Sequence, residues 1–213
     1  IKNQKGNWLK FKFRGEINLT QTIRKNAKKL LIAVVAIALI IIVVICIKKL
    51  MIKILYKKDY SEYVSKYSQE YGVDENLIYA LIKAESNFEE TAISNKNAQG
   101  LMQLMPATAE EVANKNGIEL TEQNILEPET NINIGTKYIS TLLEKYECIE
   151  VALAAYNAGI GNVDKWIENG VIKADGSDIE NIPFKETNNY VRKIMRDYNI
   201  YLSIEDEENY EKL

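Results

Sequence analysis

The chain has 213 residues and a net charge of −3, with two cysteines and no histidine. The missing histidine excludes Ser-His-Asp and Cys-His catalysis and removes the commonest transition-metal ligand, and two cysteines alone cannot build a zinc site of the usual Cys/His kind. The charge is sharply divided: residues 1–58 hold 14 Lys/Arg and one acidic residue, Glu16, whereas residues 59–213 hold 13 Lys/Arg and 29 Asp/Glu, a split of the kind that marks membrane or nucleic-acid contact for the first part, where the apolar run between the basic residues decides for membrane, and that argues against nucleic acid as a partner of the second.

Leu30 to Ile47 is an apolar run of 18 residues without a charge. As a helix it is about 27 Å long, close to a hydrocarbon core of about 30 Å. Leu50, Met51, Ile52, Ile54 and Leu55 extend it if Lys48, Lys49 and Lys53 snorkel. Nine basic residues precede the run and five follow it, up to Lys58, which favours a cytoplasmic N-terminus. No small-residue cleavage site follows the run, and Ile45 before Cys46 is too large for a lipoprotein signal. The pattern predicts an uncleaved single-pass anchor in the cell membrane: a basic cytoplasmic tail (1–29), a membrane helix (30–47, or to 55), a basic stalk (48–58), an extracytoplasmic domain (59–204) and an acidic tail (205–213). With Cys46 in the membrane and Cys148 in the domain, no disulfide framework is expected. The chain opens on Ile1, which leaves the native start of the protein open.

From Asp59 onward the apolar spacing is helical, and the domain reads as mainly α. Tyr60, Tyr63, Val64, Tyr67 and Tyr71 share one face, and Gly72 ends that helix. Asp74 stands where an N-cap belongs before Glu75–Ile82. Pro106 opens a third helix running to Asn116-Gly117. Further helices are expected over Glu129–Tyr146, over Ile149–Ala158, around Val163-Trp166-Ile167, and over Glu186–Leu202. The stripe of the last is expected to be Tyr190, Val191, Ile194, Met195, Tyr198 and Leu202.

One residue breaks the pattern. Leu77, Ile78, Leu81 and Ile82 define a buried face, and Glu85 continues it, four residues after Leu81 and seven after Ile78. Burial raises a carboxyl pKa, and a glutamic acid so shifted keeps its proton near neutral pH for a leaving group. On periodicity alone the commoner case is a glutamate turned to solvent at a helix end, or a satisfied structural one.

The strings around it decide further. Ala80-Leu81-Ile82-Lys83-Ala84-Glu85-Ser86-Asn87-Phe88, Gly100-Leu101-Met102-Gln103-Leu104-Met105-Pro106-Ala107-Thr108-Ala109, Ala154-Ala155-Tyr156-Asn157-Ala158-Gly159-Ile160-Gly161 and Glu186-Thr187-Asn188-Asn189-Tyr190-Val191 occur in that order. Together with Glu127–Ile132 and Gly135–Tyr138 they resemble the motifs of the soluble-type lytic transglycosylase family over about residues 60–202. Asn188-Asn189 departs from the Arg that often precedes the tyrosine.

The resemblance implies a lysozyme-like helical domain that acts on peptidoglycan glycan strands with no cofactor and no metal. It implies that Glu85 protonates the oxygen between N-acetylmuramic acid and N-acetylglucosamine, then as a base takes the C6 hydroxyl proton, closing a 1,6-anhydro ring without water. By the same carry-over, Gln103 bonds the sugar or holds the site, and Met105 lines an apolar wall. Tyr156 brings its hydroxyl to the reacting sugar, Asn157 supports that turn, Glu186 and Tyr190 contact saccharide, and Ser86 fixes the loop after the helix. Met105 and Tyr190 also fit simple core packing. Two alternatives stay open: a hydrolytic muramidase of goose-lysozyme type, with Glu129 or Glu186 as the second carboxylate, and a non-catalytic wall-binding or assembly subunit of cell-wall or secretion machinery.

Overall fold

The computed structural model describes residues 2–121 and 123–211; Ile1 and the end of the expected acidic tail, 212–213, lie outside them. The described residues contain eight α-helices, one short 3-10 turn and no strand, in two compact units, 1–55 and 56–213.

The first unit is a single helix, α1 (Lys2–Leu55). Within it, Arg24–Leu55 is long and apolar enough to cross a membrane, with a mean hydropathy of 3.8 and none of its most apolar window buried. The basic stretch expected as a stalk is divided: 48–55 continue α1, and 56–58 belong to the second unit.

The second unit is built from short helices with legible stops. Gly72, at φ 67°, ends α2 (Ser61–Tyr71). The Asp74 carboxylate accepts the Asn76 N–H at 2.7 Å and starts α3 (Glu75–Glu85). Pro106 and Pro128 occupy the first turns of α4 (Pro106–Asn116) and α5 (Pro128–Tyr146), where a missing N–H costs nothing. α6 (Ile149–Ala158) is the central helix: Val151 to Ala155 are all fully buried, and α5, α7 (Ile160–Glu168) and α8 (Lys185–Glu211) pack on it. Its alanines let these neighbours approach closely.

α3 lies between α2 and α8. For that reason its burial extends beyond the expected face to Asn76, Tyr79 and Ala80. Leu77, Ile78, Leu81 and Ile82 are fully covered, each a contribution of roughly 1.5–3 kcal/mol.

The stripe of α8 differs from expectation. The inward positions are Val191, Ile194, Asp197 and Tyr201, whereas Tyr190, Met195, Tyr198 and Leu202 are only half-buried. Asp197 tolerates burial because Tyr56 donates to its Oδ1 at 3.1 Å and Arg196 pairs with it at 3.0 Å. Tyr201 meets Tyr56 edge-on at 5.3 Å, stacks on Tyr79 at 5.6 Å and donates to the Lys57 carbonyl at 2.8 Å. The start of the second unit is thereby fixed to α3 and α8. α8 also runs beyond Leu202, through Glu205 to Glu211, so the acidic segment is helical over that range.

Candidate active site

Glu85 is the last residue of α3, and the chain turns sharply after it. Ser86 caps the helix: its N–H bonds the Ile82 carbonyl at 3.1 Å and its hydroxyl reaches the same oxygen at 3.3 Å. Asn87 and Phe88 then adopt left-handed backbone, at φ 52° and 67°, an uncommon conformation for an aromatic residue. The Phe88 ring is buried in the core, and that packing holds the turn in place.

α8 brings two side chains to this helix end. The Tyr190 hydroxyl donates to Glu85 Oε1 at 2.5 Å, and Lys193 Nζ donates to the Ala84 carbonyl at 2.9 Å. From α6, the Tyr156 ring lies 5.1 Å from that of Tyr138 on α5, and the Tyr156 hydroxyl donates to the Met102 carbonyl at 2.8 Å. The Thr187 hydroxyl donates to Asn157 Oδ1 at 2.8 Å, tying the end of α6 to the start of α8.

The segment between α3 and α4 is folded tightly on itself. Gln99 and Leu104 exchange both backbone hydrogen bonds at 3.0 Å. The Gln103 side-chain nitrogen donates to the carbonyls of Ala92 and Gly100, at 3.0 and 2.9 Å. Buried Asn131 of α5 accepts the Met102 N–H at 2.8 Å and donates to the carbonyls of Gln99 and Ile125. Gly100 stands so close, at φ 76°, that a Cβ there would lie 2.2 Å from Asn131 Nδ2.

The expected site residues are therefore not equivalent. Glu85, Tyr190 and Tyr156 are brought together: the first two share a hydrogen bond, and Glu85 and Tyr156 act on each other electrostatically. Ser86, Gln103 and Asn157 are engaged in holding the surrounding turns. Met105 is exposed at the N-cap of α4, and Glu186 is exposed in the first turn of α8. Glu129 is bonded to Lys66 at 2.7 Å and to Tyr67 at 3.2 Å, which keeps its carboxyl below the usual range. Tyr138, Lys193, Thr187 and Asn131 were not singled out by sequence. Three lie inside matched strings, and Lys193 follows Tyr190 by one helical turn.

Glu85 keeps part of its surface open to solvent while protein surrounds it on the other sides. Burial pushes its pKa up to about 7, against the opposing pull of the Tyr190 hydrogen bond and the Lys193 charge. Burial and the Glu85 charge together hold the Tyr156 and Tyr190 phenols well above their usual range, so both remain protonated donors. The arrangement is that of one proton-holding carboxyl in a frame of hydroxyl groups.

The fold and sequence have relatives. A putative soluble lytic murein transglycosylase of Haemophilus influenzae is 36% identical over 149 residues, which is 68% of this chain and 25% of that protein. A membrane-bound lytic murein transglycosylase C of Edwardsiella ictaluri is 36% identical over 115 residues, 49% of this chain and 32% of that protein. An inactive mutant of the lytic transglycosylase Slt of Pseudomonas aeruginosa superposes with a TM-score of 0.66 at 33% identity, over 71% of this chain and 25% of that one. The chain thus spans about a quarter to a third of the length of these relatives. The mainly α, lysozyme-like domain expected from the motifs is the fold that it has. Residues 62–178, more than half of the chain, match the model of the transglycosylase SLT domain, and the protein belongs to that family.

Proposed function

We propose that the protein is a membrane-anchored lytic transglycosylase that cleaves the β-1,4 bond between N-acetylmuramic acid and N-acetylglucosamine in peptidoglycan and leaves 1,6-anhydromuramic ends. The observation that carries this reading is Glu85: a largely buried carboxyl with a pKa of about 7, hydrogen-bonded by Tyr190, with no carboxylate among the described groups that shift it.

The chemistry follows from those properties. Protonated Glu85 gives its proton to the glycosidic oxygen as the bond from that oxygen to muramoyl C1 breaks. The substrate's N-acetyl oxygen supports the positive charge left at C1. The Glu85 carboxylate then takes the proton of the C6 hydroxyl while the C6 oxygen bonds to C1. Glu85 ends protonated, and no water is consumed. Tyr190 steadies the carboxylate between the two steps. Tyr156 and Met105 border the saccharide, Glu186 contacts it from the start of α8, and Ser86, Gln103 and Asn157 keep the frame in shape.

A hydrolytic route of the inverting kind needs a second carboxylate across the sugar. Glu129 is held by Lys66 and Tyr67, and neither it nor Glu186 is among the described groups that shift Glu85. The names of the relatives support the same activity, and the Pseudomonas relative has an inactive form with one glutamate changed to glutamine. α1 serves as the anchor, with residues 30–47 in the hydrocarbon core, the N-terminus cytoplasmic and the 59–204 domain outside.

Mass analysis of peptidoglycan digested with the full chain tests the proposal. Muropeptides lighter than hydrolytic products by roughly 18 Da, one water, are expected from ring closure. Reducing-end muramic acid as the sole new terminus would mean hydrolysis instead.

A further inference from the structure

One cation beside Glu85 has no part in the proton transfer. Lys193 follows Tyr190 by three residues on α8, so both side chains leave the same face of the helix. Its Nζ bonds the carbonyl of Ala84 at 2.9 Å. Ala84 immediately precedes Glu85 in the last turn of α3, where carbonyls lack helical partners and carry negative partial charge. α8 therefore grips the end of α3 at two points, the backbone through Lys193 and the carboxyl through Tyr190.

We propose that Lys193 is a positioning residue for Glu85, clamping the helix end that bears it and keeping a positive charge within reach of its carboxyl. The proposal rests on the reading of Glu85 as proton donor. The other ionisable groups that act with Glu85 are phenols: Tyr190 of α8 and Tyr156 of α6, with Tyr138 of α5 acting on both. Burial keeps all three protonated near neutral pH. Among the described groups that shift Glu85, Lys193 is thus the only charged one. Its role belongs to the proton-donating half of the cycle. Burial favours the carboxylic acid, whereas the ammonium favours the carboxylate that donation leaves behind. Without Lys193 the carboxyl holds its proton more tightly and gives it up less readily.

The test uses the full chain in detergent micelles, as wild type, Lys193→Met and Lys193→Arg, with kcat/KM measured across pH at low and high salt. The alkaline midpoint is expected to rise by roughly 0.5–1 unit in Lys193→Met, a threefold to tenfold tighter hold on the proton, and to stay in place in Lys193→Arg. High salt should raise the wild-type midpoint, because the ammonium is exposed and screened, and should leave that of Lys193→Met unchanged.

A second readout needs no turnover. The pH at which the Tm of each protein departs from that of its Glu85→Gln counterpart reports Glu85 ionisation and should show the same shift. Equal midpoints for wild type and Lys193→Met, or a shift in Lys193→Arg as large as in Lys193→Met, would overturn the proposal. A wild type that makes no anhydromuramic product defeats the functional reading alone, and the Tm midpoints still decide the part played by Lys193.

Discussion

The Tyr190 hydroxyl donates a 2.5 Å hydrogen bond to Glu85 Oε1, joining two helices across 105 positions of sequence. The bond favours the ionised carboxyl and burial favours the neutral one, and their balance puts the pKa at about 7. A group that must act first as acid and then as base needs both forms within easy reach at neutral pH.

Tyr190→Phe removes the stabilising donor while leaving the ring. The Glu85 pKa is expected to rise further, moving the alkaline limb of kcat/KM to higher pH. The carboxylate formed after proton donation loses a charge-assisted bond worth about 1.5–3 kcal/mol, so kcat should fall roughly tenfold to a hundredfold. A pH–rate profile on purified peptidoglycan checks both effects, and an unmoved limb with wild-type kcat would contradict the assignment.

Glu85→Gln should abolish cleavage and alter the pH dependence of stability. The folded-state pKa of about 7 is raised above the ordinary glutamic acid value of 4.5. The stability that the protonated carboxyl contributes is therefore fully present below about pH 4.5 and is lost as pH rises through about 7, on the order of 3 kcal/mol in total. The variant should match wild type in acid and exceed it in stability above neutrality. Urea denaturation at pH 4 and pH 8 measures the difference; equal stabilities at pH 8 would show that Glu85 is not buried as described.

The segment between α3 and α4 depends on Asn131 and on the space left by Gly100. Asn131→Ala leaves the Met102 N–H and the Ile125 carbonyl without their partner and the Gln99 carbonyl with the Leu104 N–H alone, at a cost of about 2–4 kcal/mol. Gly100→Ala adds a Cβ 2.2 Å from Asn131 at φ 76°, and at least about 2 kcal/mol is expected. Thermal unfolding of each variant gives the values, and a melting temperature equal to wild type for Gly100→Ala would refute the close packing.

Tyr156→Phe removes the 2.8 Å bond to the Met102 carbonyl but keeps the ring against Tyr138. An unpaired carbonyl costs about 1–3 kcal/mol. Stability should fall by that amount and kcat by more than KM rises, since the frame around Glu85 loosens while the exposed saccharide contacts remain. Steady-state kinetics beside urea denaturation separates the two.

Much of this arrangement is local and could be read in advance. Asp74, Pro106, Pro128, Gly72 and Gly117 mark helix ends through their own backbone chemistry, which needs no distant partner. Glu85 stood out as a carboxylate at the fourth and seventh positions from two core residues, and the motif strings around it marked it as the proton donor. The apolar run of α1 likewise announces itself by length alone. Pairing between helices is another matter. Neighbouring positions on a helix are about 100° apart, so the stripe of α8 could be drawn a position away from the true one. Leu202 was expected where Tyr201 is buried, and Asp197 was not expected inside at all. Only the crossing of α3 and α8 decided that Tyr190 reaches Glu85 and that Lys193 bonds Ala84, and only the packing of α5 on α6 decided that Tyr138 backs Tyr156. Sequence determined which carboxyl was misplaced; the packing of helices distant in the chain determined what surrounds it and so its affinity for a proton.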